Sequence, residues 1–173
     1  ESTEFSFSRF IVPHLMNYKG WALFLDCDQL MTGDVAELWR LRDEKYAVQV
    51  CKHDYQPIES KKFLGQVQTK YVKKNWSSFM LMNCDKCTAL TPDYVNTATG
   101  LQLHQFKWLE NDSLIGELPL EWNWLVGEYP RKDDVKNVHF TEGGPWFVDY
   151  LQCDYADEWH KLKRETTETN MVK

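Results

Sequence analysis

The sequence predicts an α/β fold, and three observations carry that prediction. Residues 21–25 (Trp-Ala-Leu-Phe-Leu) and 79–82 (Phe-Met-Leu-Met) are apolar runs of strand length, and they stop on the polar side chains Asp26 and Asn83. Helix-start signals follow them: Asp34-x-x-Glu37 resembles a capping box, and Thr91-Pro92-Asp93 offers a cap with proline in the first turn. Strands that alternate with helices bury their apolar faces as stacked layers.

The elements follow in order. A helix capped by Thr3 is expected through Phe7, Phe10, Ile11 and Leu15, kinked or split at Pro13 and stopped by Gly20. The strand at 21–26 reads as buried. A short helix carrying Val35, Leu38, Trp39 and Leu41 comes next, then a strand at 46–51 rich in β-formers. Residues 52–75 are polar and mixed, and read as a long loop with room for a hairpin and the makings of a site wall. Their lysine pairs, Lys61-Lys62 and Lys73-Lys74, read as solvated charge. A strand at 78–83 and helical pieces from 91 to 109 precede a helical turn opened by Asn111-Asp112 and running through Leu118. Strands at 121–125 and 138–140 and a terminal helix at 155–163 with a frayed tail to 173 complete a single domain over residues 1–173.

Composition excludes several classes. A net charge of −6 is the wrong sign for a nucleic-acid footprint. No run of about 18 apolar residues is present to span a bilayer. No charged-then-apolar leader opens the chain, and five cysteines (27, 51, 84, 87 and 153) make a poor disulfide framework, so a reducing cytoplasm is expected. Cys84-Asp-Lys-Cys87 lacks the second pair of ligands that zinc requires and reads as unpaired thiols. Most of the eight tryptophans are expected in the core.

The chemistry concentrates at Asp26-Cys27-Asp28. Alternate strand residues point the same way, so two carboxylates at i and i+2 can approach one object together. Hard divalent cations prefer carboxylate oxygens and bridge phosphates. The pattern therefore suggests a metal–phosphate site.

Further segments fall in a recognisable order. Phe7-Ser8-Arg9-Phe10 precedes the Asp-x-Asp strand. Trp76-Ser77-Ser78-Phe79-Met80-Leu81-Met82-Asn83 forms the middle segment. Glu110-Asn111-Asp112 precedes Leu118-Pro119 and Trp122-Asn123-Trp124, and His139 precedes Gly143-Gly144-Pro145-Trp146. Together these segments resemble the signature of GT-A fold glycosyltransferases, family 8 above all, the group that includes glycogenin and bacterial lipopolysaccharide galactosyltransferases. The resemblance covers most of the chain. It implies a GT-A-like mixed central sheet flanked by helices. It also implies that the copy is N-terminally truncated, because the nucleoside-binding βα unit that opens such enzymes does not precede the Asp-x-Asp strand.

The resemblance implies these roles. Asp26, Asp28 and His139 would bind Mn²⁺ or Mg²⁺. Arg9, Cys27, Ser77, Asn83, Glu110, Gly143, Gly144 and Trp146 would contact the donor. Asn111, where the family's glutamine faces the reacting sugar carbon, and Asp112 would serve catalysis. The activity implied is transfer of a sugar from a nucleotide-sugar, UDP-linked first, to a saccharide or lipid-linked acceptor hydroxyl with retained configuration. The implied setting is cytoplasmic or peripheral at the inner membrane face. Gly144 stands where the family carries a phosphate-binding lysine, and the spacing from histidine to proline is one residue shorter. Charge compensation would then fall on the metal, Arg9 and backbone N–H groups at Gly143-Gly144. The alternatives are a degenerate, non-catalytic carbohydrate- or nucleotide-sugar-binding domain and a haloacid-dehalogenase-type phosphatase. The phosphatase is disfavoured by Gln29-Leu30-Met31 after the acids.

Overall fold

The structure, a computed structural model, describes residues 4–54 and 73–171. Thr3, the Lys61-Lys62 pair and most of the expected 52–75 loop lie outside the described residues. The chain forms two compact units, Glu1–Leu25 with Leu41–Pro119, and Asp26–Arg40 with Leu120–Lys173.

The first unit is built on a four-stranded mixed sheet. Its strands in spatial order are β1 (Trp21–Leu25), β4 (Phe79–Asn83), β3 (Val48–Cys51) and β5 (Ile115–Leu118). Both β1 and β3 run antiparallel to β4, and β5 joins β3 in parallel. Every residue of β3 and β4 is buried, which explains the apolar run Phe79–Met82 of β4, while in β3 the buried Gln49 side chain donates to the Leu41 carbonyl. Fully burying Met80, Leu81 or Met82 contributes about 1.5–3 kcal/mol each. In contrast, β1 is half-buried at all five positions. The expectation of a buried strand there is corrected: among the described residues β1 is an edge strand, with β4 on one side only.

The N-terminal helix divides as the proline requires. It comprises α1 (Glu4–Phe7), a 3-10 turn at Ser8–Ile11 and α2 (Val12–Leu15), with Pro13 in the first turn of α2, where no N–H is needed. Two more short helices pack on the sheet's core of Phe10, Val48, Val50, Met80, Met82, Leu103 and Phe106. In α4 (Pro92–Thr97), Thr91 caps as expected, its Oγ1 accepting the Tyr94 N–H at 3.1 Å. In α5 (Gly100–His104), Thr99 and Gln102 close a capping box.

One expected element is wrong in this unit. The turn opened by Asn111-Asp112 stops at Leu114, and Ile115–Leu118 is strand β5. Parallel pairing of Val48 with Ile115 through Cys51 with Leu118 overrides the local turn signal. Glycine suits position 116, because a Cβ there would lie 2.4 Å from Tyr46 Cδ2 and 2.7 Å from Gln49 Cγ.

Near the start of β4 lies a half-buried polar group. The His104 ring has Ser77 Oγ 2.7 Å from Nδ1 and Ser6 Oγ 3.2 Å from Nε2. Burial, reinforced by the Arg9 charge, pushes His104 down to about 4, so the ring is neutral and both nitrogens are served by hydroxyls.

The second unit carries a three-stranded sheet ordered β2 (Gln29–Met31), β7 (Asn137–His139) and β6 (Trp124–Leu125). Here β2 is antiparallel and β6 parallel to β7, so Gln29 and Leu125 flank His139 on either side. The strand expected at 121–125 shrinks to two residues. Leu120–Trp122 is a 3-10 turn, because the Asn123 side chain is needed inside rather than along a ladder. Leu30, Val126, Val135, Val138, Phe140 and Tyr155 form the core. Ahead of α3 (Val35–Arg40), Asp34 Oδ1 accepts the Ala36 N–H at 2.8 Å, and the Glu37 carboxylate pairs with Lys136 Nζ at 2.9 Å. The terminal helix α6 (Ala156–Met171) extends beyond the expected 163. Among the described residues no helix is long and apolar enough to cross a membrane.

Two outcomes are expected. Replacing Gly116 by valine lowers unfolding stability by about 1–3 kcal/mol, the usual cost of overpacking, as measured by urea denaturation. His104 also makes stability pH-dependent. Between its unfolded value of 6.5 and its folded value of about 4, the unfolded chain binds more protons than the native one. The urea midpoint should therefore fall as pH drops through that window, and His104→Gln should flatten the slope.

Candidate metal centre

The site grows out of the β2–β7 pairing. Gln29 lies opposite His139, and one step earlier the Phe140 N–H donates to the Asp28 carbonyl at 3.0 Å. A residue immediately before β2 is therefore held beside a residue on β7, although 111 positions separate them in sequence. Residues 26–28 turn the chain from β1 into β2, and Asp26 lies at the same place. Asp26, Asp28 and His139 each offer a ligand atom, and those atoms all lie within 4.8 Å of one another. All three belong to the second unit.

The imidazole is fixed from behind. His139 is 4% exposed, and its Nδ1 lies 2.9 Å from Oδ1 of Asn123, which is wholly buried. A carbonyl oxygen only accepts, so Nδ1 carries the proton and Nε2 presents its lone pair. That lone pair lies 3.4 Å from Asp28 Oδ1. Two acceptors at this distance repel unless positive charge lies on or between them, supplied by a proton or a cation. Two carboxylates and a neutral imidazole, with the second ring nitrogen held by a hydrogen bond, suit a divalent metal. The residues therefore fit the cation that the sequence pattern implied. Sequence reasoning did not assign Asn123 a role; its signal was its place in the Trp122-Asn123-Trp124 segment.

The other expected residues are distributed unevenly. Arg9 donates from Nε to the Ser6 carbonyl and from Nη1 to the Ser77 carbonyl, each at 2.8 Å, with its guanidinium over the Phe24 ring. Arg9 and Ser77 thus meet near the end of β1 that runs into Asp26. Asn83 does not. In the antiparallel ladder Leu25 pairs with Phe79 and Trp21 with Asn83. Asn83 therefore stands four residues, roughly 13 Å, back along β1. Its side chain is buried and donates to Glu44 Oε2 at 3.1 Å.

Cys27 is exposed between the two acids. Glu110, Asn111 and Asp112 are exposed on one turn. Asn111 Oδ1 caps it by accepting the Ser113 N–H at 3.0 Å. Lys73, read from sequence as solvated, is instead buried, with Nζ 2.7 Å from Asp112 Oδ1. Gly143 uses its N–H on the Phe140 carbonyl at 3.2 Å, and its Cα (φ +142°) lies against the Tyr150 ring. Gly144 is covered by the Trp146 ring. That ring is 40% exposed and anchored edge-on to Phe140 and tilted against Trp159. Cys84 and Cys87 are free thiols. Cys87 Sγ donates toward the Ala47 and Asn83 carbonyls, and burial pushes both thiols up.

Comparison with known proteins separates fold from family. No protein-family model matches the chain. Among solved structures, the galactosyltransferase LgtC, in complex with donor and acceptor sugar analogs, matches with a TM-score of 0.60 at 14% identity. That match covers 91% of this chain and 65% of LgtC. The apo-form glycosyltransferase GlyE of Streptococcus pneumoniae TIGR4 matches with a TM-score of 0.61 at 15% identity, over 92% of this chain and 43% of GlyE. The chain thus spans less than two thirds of either structure, and at these identities the likeness is one of fold: the architecture is GT-A. By sequence, Protein CDI of Arabidopsis thaliana is 49% identical over 177 residues, covering 98% of this chain and 68% of that protein. With that identity over that extent, this chain belongs to the family of Protein CDI.

Proposed function

We propose that the chain is the core of a metal-dependent glycosyltransferase that moves a sugar from a nucleotide-sugar, UDP-linked first, to a saccharide or lipid-linked acceptor hydroxyl, with retention. The observation that carries this reading is the trio Asp26, Asp28 and His139, its imidazole locked by Asn123, on a GT-A fold. Asp26, Asp28 and His139 would hold a Mn²⁺ or Mg²⁺ ion, which when bound would supply Lewis-acid charge toward the departing diphosphate.

The remaining roles belong to the chain's own groups. Asn123 keeps the His139 proton on Nδ1 and the Nε2 lone pair directed outward. Arg9, its guanidinium spent on two carbonyls, orders the chain entering Asp26. Glu110 and Asp112 offer carboxylate oxygens to sugar hydroxyls, with Asn111 beside them. The exposed part of Trp146 offers an aromatic face to an apolar sugar surface. The free thiols suit a reducing setting, the cytoplasm or the inner membrane face.

A second reading, a non-catalytic nucleotide-sugar-binding domain, is favoured by one feature. Asn111 Oδ1 and the Gly143 N–H, groups that would face the reacting sugar and the diphosphate, are already spent on local bonds.

Incubating the protein with UDP-glucose or UDP-galactose and Mn²⁺ should release UDP, and EDTA should stop the release. Tight donor binding without turnover selects the second reading. Asp28→Ala should abolish Mn²⁺ binding in an electron paramagnetic resonance titration. Asn123→Leu should weaken it roughly 10–100-fold, as expected for loss of a ligand's supporting bond; unchanged binding in both variants overturns the metal assignment.

A further inference from the structure

Asn137 is polar and wholly buried. It stands on β7 two positions before His139, so the two side chains leave the strand on one face. Gln29, paired directly with His139, joins them there. Both N–H groups of the Asn137 amide are used. Nδ2 donates to the Trp122 carbonyl at 3.0 Å and to Gln29 Oε1 at 2.6 Å. A backbone carbonyl only accepts, so the Trp122 contact fixes which end of the Asn137 amide is nitrogen. Gln29 must then turn its oxygen toward Asn137. Asn137 Oδ1 meets no donor among the described residues, so the two donated bonds set the orientation of the amide.

The two acceptors belong to the two segments that shape the metal centre. Gln29 follows Asp28, whose Oδ1 lies 3.4 Å from His139 Nε2. Trp122 precedes Asn123, whose Oδ1 accepts the His139 Nδ1–H at 2.9 Å. The parallel ladder of β6 with β7 begins only at Trp124. Upstream of that point the Lys136 N–H holds the Glu121 carbonyl at 2.8 Å, and Asn137 Nδ2 holds the Trp122 carbonyl. One planar amide therefore spans both segments, and a shift of either is felt by the other. All of these residues lie within the second unit.

We infer that Asn137 is a positioning residue for the metal centre, holding the segments that carry Asp28 and Asn123 at the spacing a divalent cation needs. This rests on the metal-dependent reading above. Asn137 acts through Asn123 and Gln29 rather than on the cation. A site ordered before the cation arrives loses less free energy on binding, so releasing these segments weakens affinity.

Mn²⁺ titration by electron paramagnetic resonance, and proton NMR of the His139 Nδ1–H in metal-free protein, test the inference. The variants are Asn137→Ala, Asn123→Leu, the Asn137→Ala/Asn123→Leu double variant and Thr32→Val. Thr32 is the control: its Oγ1 also braces β2, bonding the Val135 carbonyl at 2.8 Å rather than Gln29 or Trp122. Asn137→Ala should weaken Mn²⁺ binding roughly tenfold, the low end of what loss of a ligand's supporting bond costs. It should also speed exchange of the His139 Nδ1–H with water. The double variant should lose little more than Asn123→Leu alone, well short of the sum, because the two residues act in series. Thr32→Val should lower the urea midpoint and leave Mn²⁺ affinity unchanged. If Asn137→Ala fails to keep the wild-type circular dichroism, Asn137→Ser takes its place. Unchanged Mn²⁺ affinity in Asn137→Ala, fully additive losses, or an equal loss in Thr32→Val overturns the role of Asn137. A wild type that binds no Mn²⁺ overturns the metal-dependent reading instead. In that case unchanged exchange of the His139 Nδ1–H in Asn137→Ala overturns the link from Asn137 to Asn123.

Discussion

The antiparallel pairing of β1 with β4 is the constraint on which the first unit depends. Leu25 opposite Phe79 sets where the chain leaves the sheet, and the next residue is Asp26. The same register brings the Ser77 carbonyl to that end, where Arg9 takes it, and sends Asn83 to the far end. A one-residue slip would turn every β1 side chain to the opposite face. The half-buried state of β1 makes this register matter more, because an edge strand has one ladder rather than two to hold it.

A second pairing does the equivalent work in the other unit. Opposing Gln29 to His139 carries Asp28 next to an imidazole from the far end of the sequence. The strands involved are only three residues long, so their hydrogen bonds alone would hold them weakly. Side chains reinforce them: Asn137 Nδ2 donates to Gln29 Oε1 at 2.6 Å and to the Trp122 carbonyl at 3.0 Å, and Thr32 Oγ1 donates to the Val135 carbonyl at 2.8 Å. Buried amides thus serve twice here. Asn137 locks the register and Asn123 locks the tautomer of the residue that the register delivers.

Much of the fold was legible because its signals are local. The β4 run is continuous because both faces are covered. Pro13 splits a helix wherever it falls, and Thr91-Pro92 caps one. The strand β5 was misread because Asn111-Asp112 does open a turn, and only the parallel partner β3 stops that turn at Leu114. Gly116 was the available warning, as glycine is a poor helix residue and often marks a close approach to a neighbour. The candidate metal-site trio was legible through spacing and resemblance together, although the two acids sit on the turn from β1 into β2 rather than on one strand face.

By itself, the sequence determined the alternation of strands and helices, the paired acids at a strand end and the likeness to the GT-A glycosyltransferases. These depend on periodicity, capping and residue chemistry over a few neighbouring positions. Tertiary structure alone decided that Asn83 lies at the far end of the β1–β4 ladder, that Asn123 orients His139 and that Lys73 is buried under Asp112. Each of those outcomes depends on partners between 16 and 62 positions away. Register and burial set such partnerships, and no local pattern encodes them.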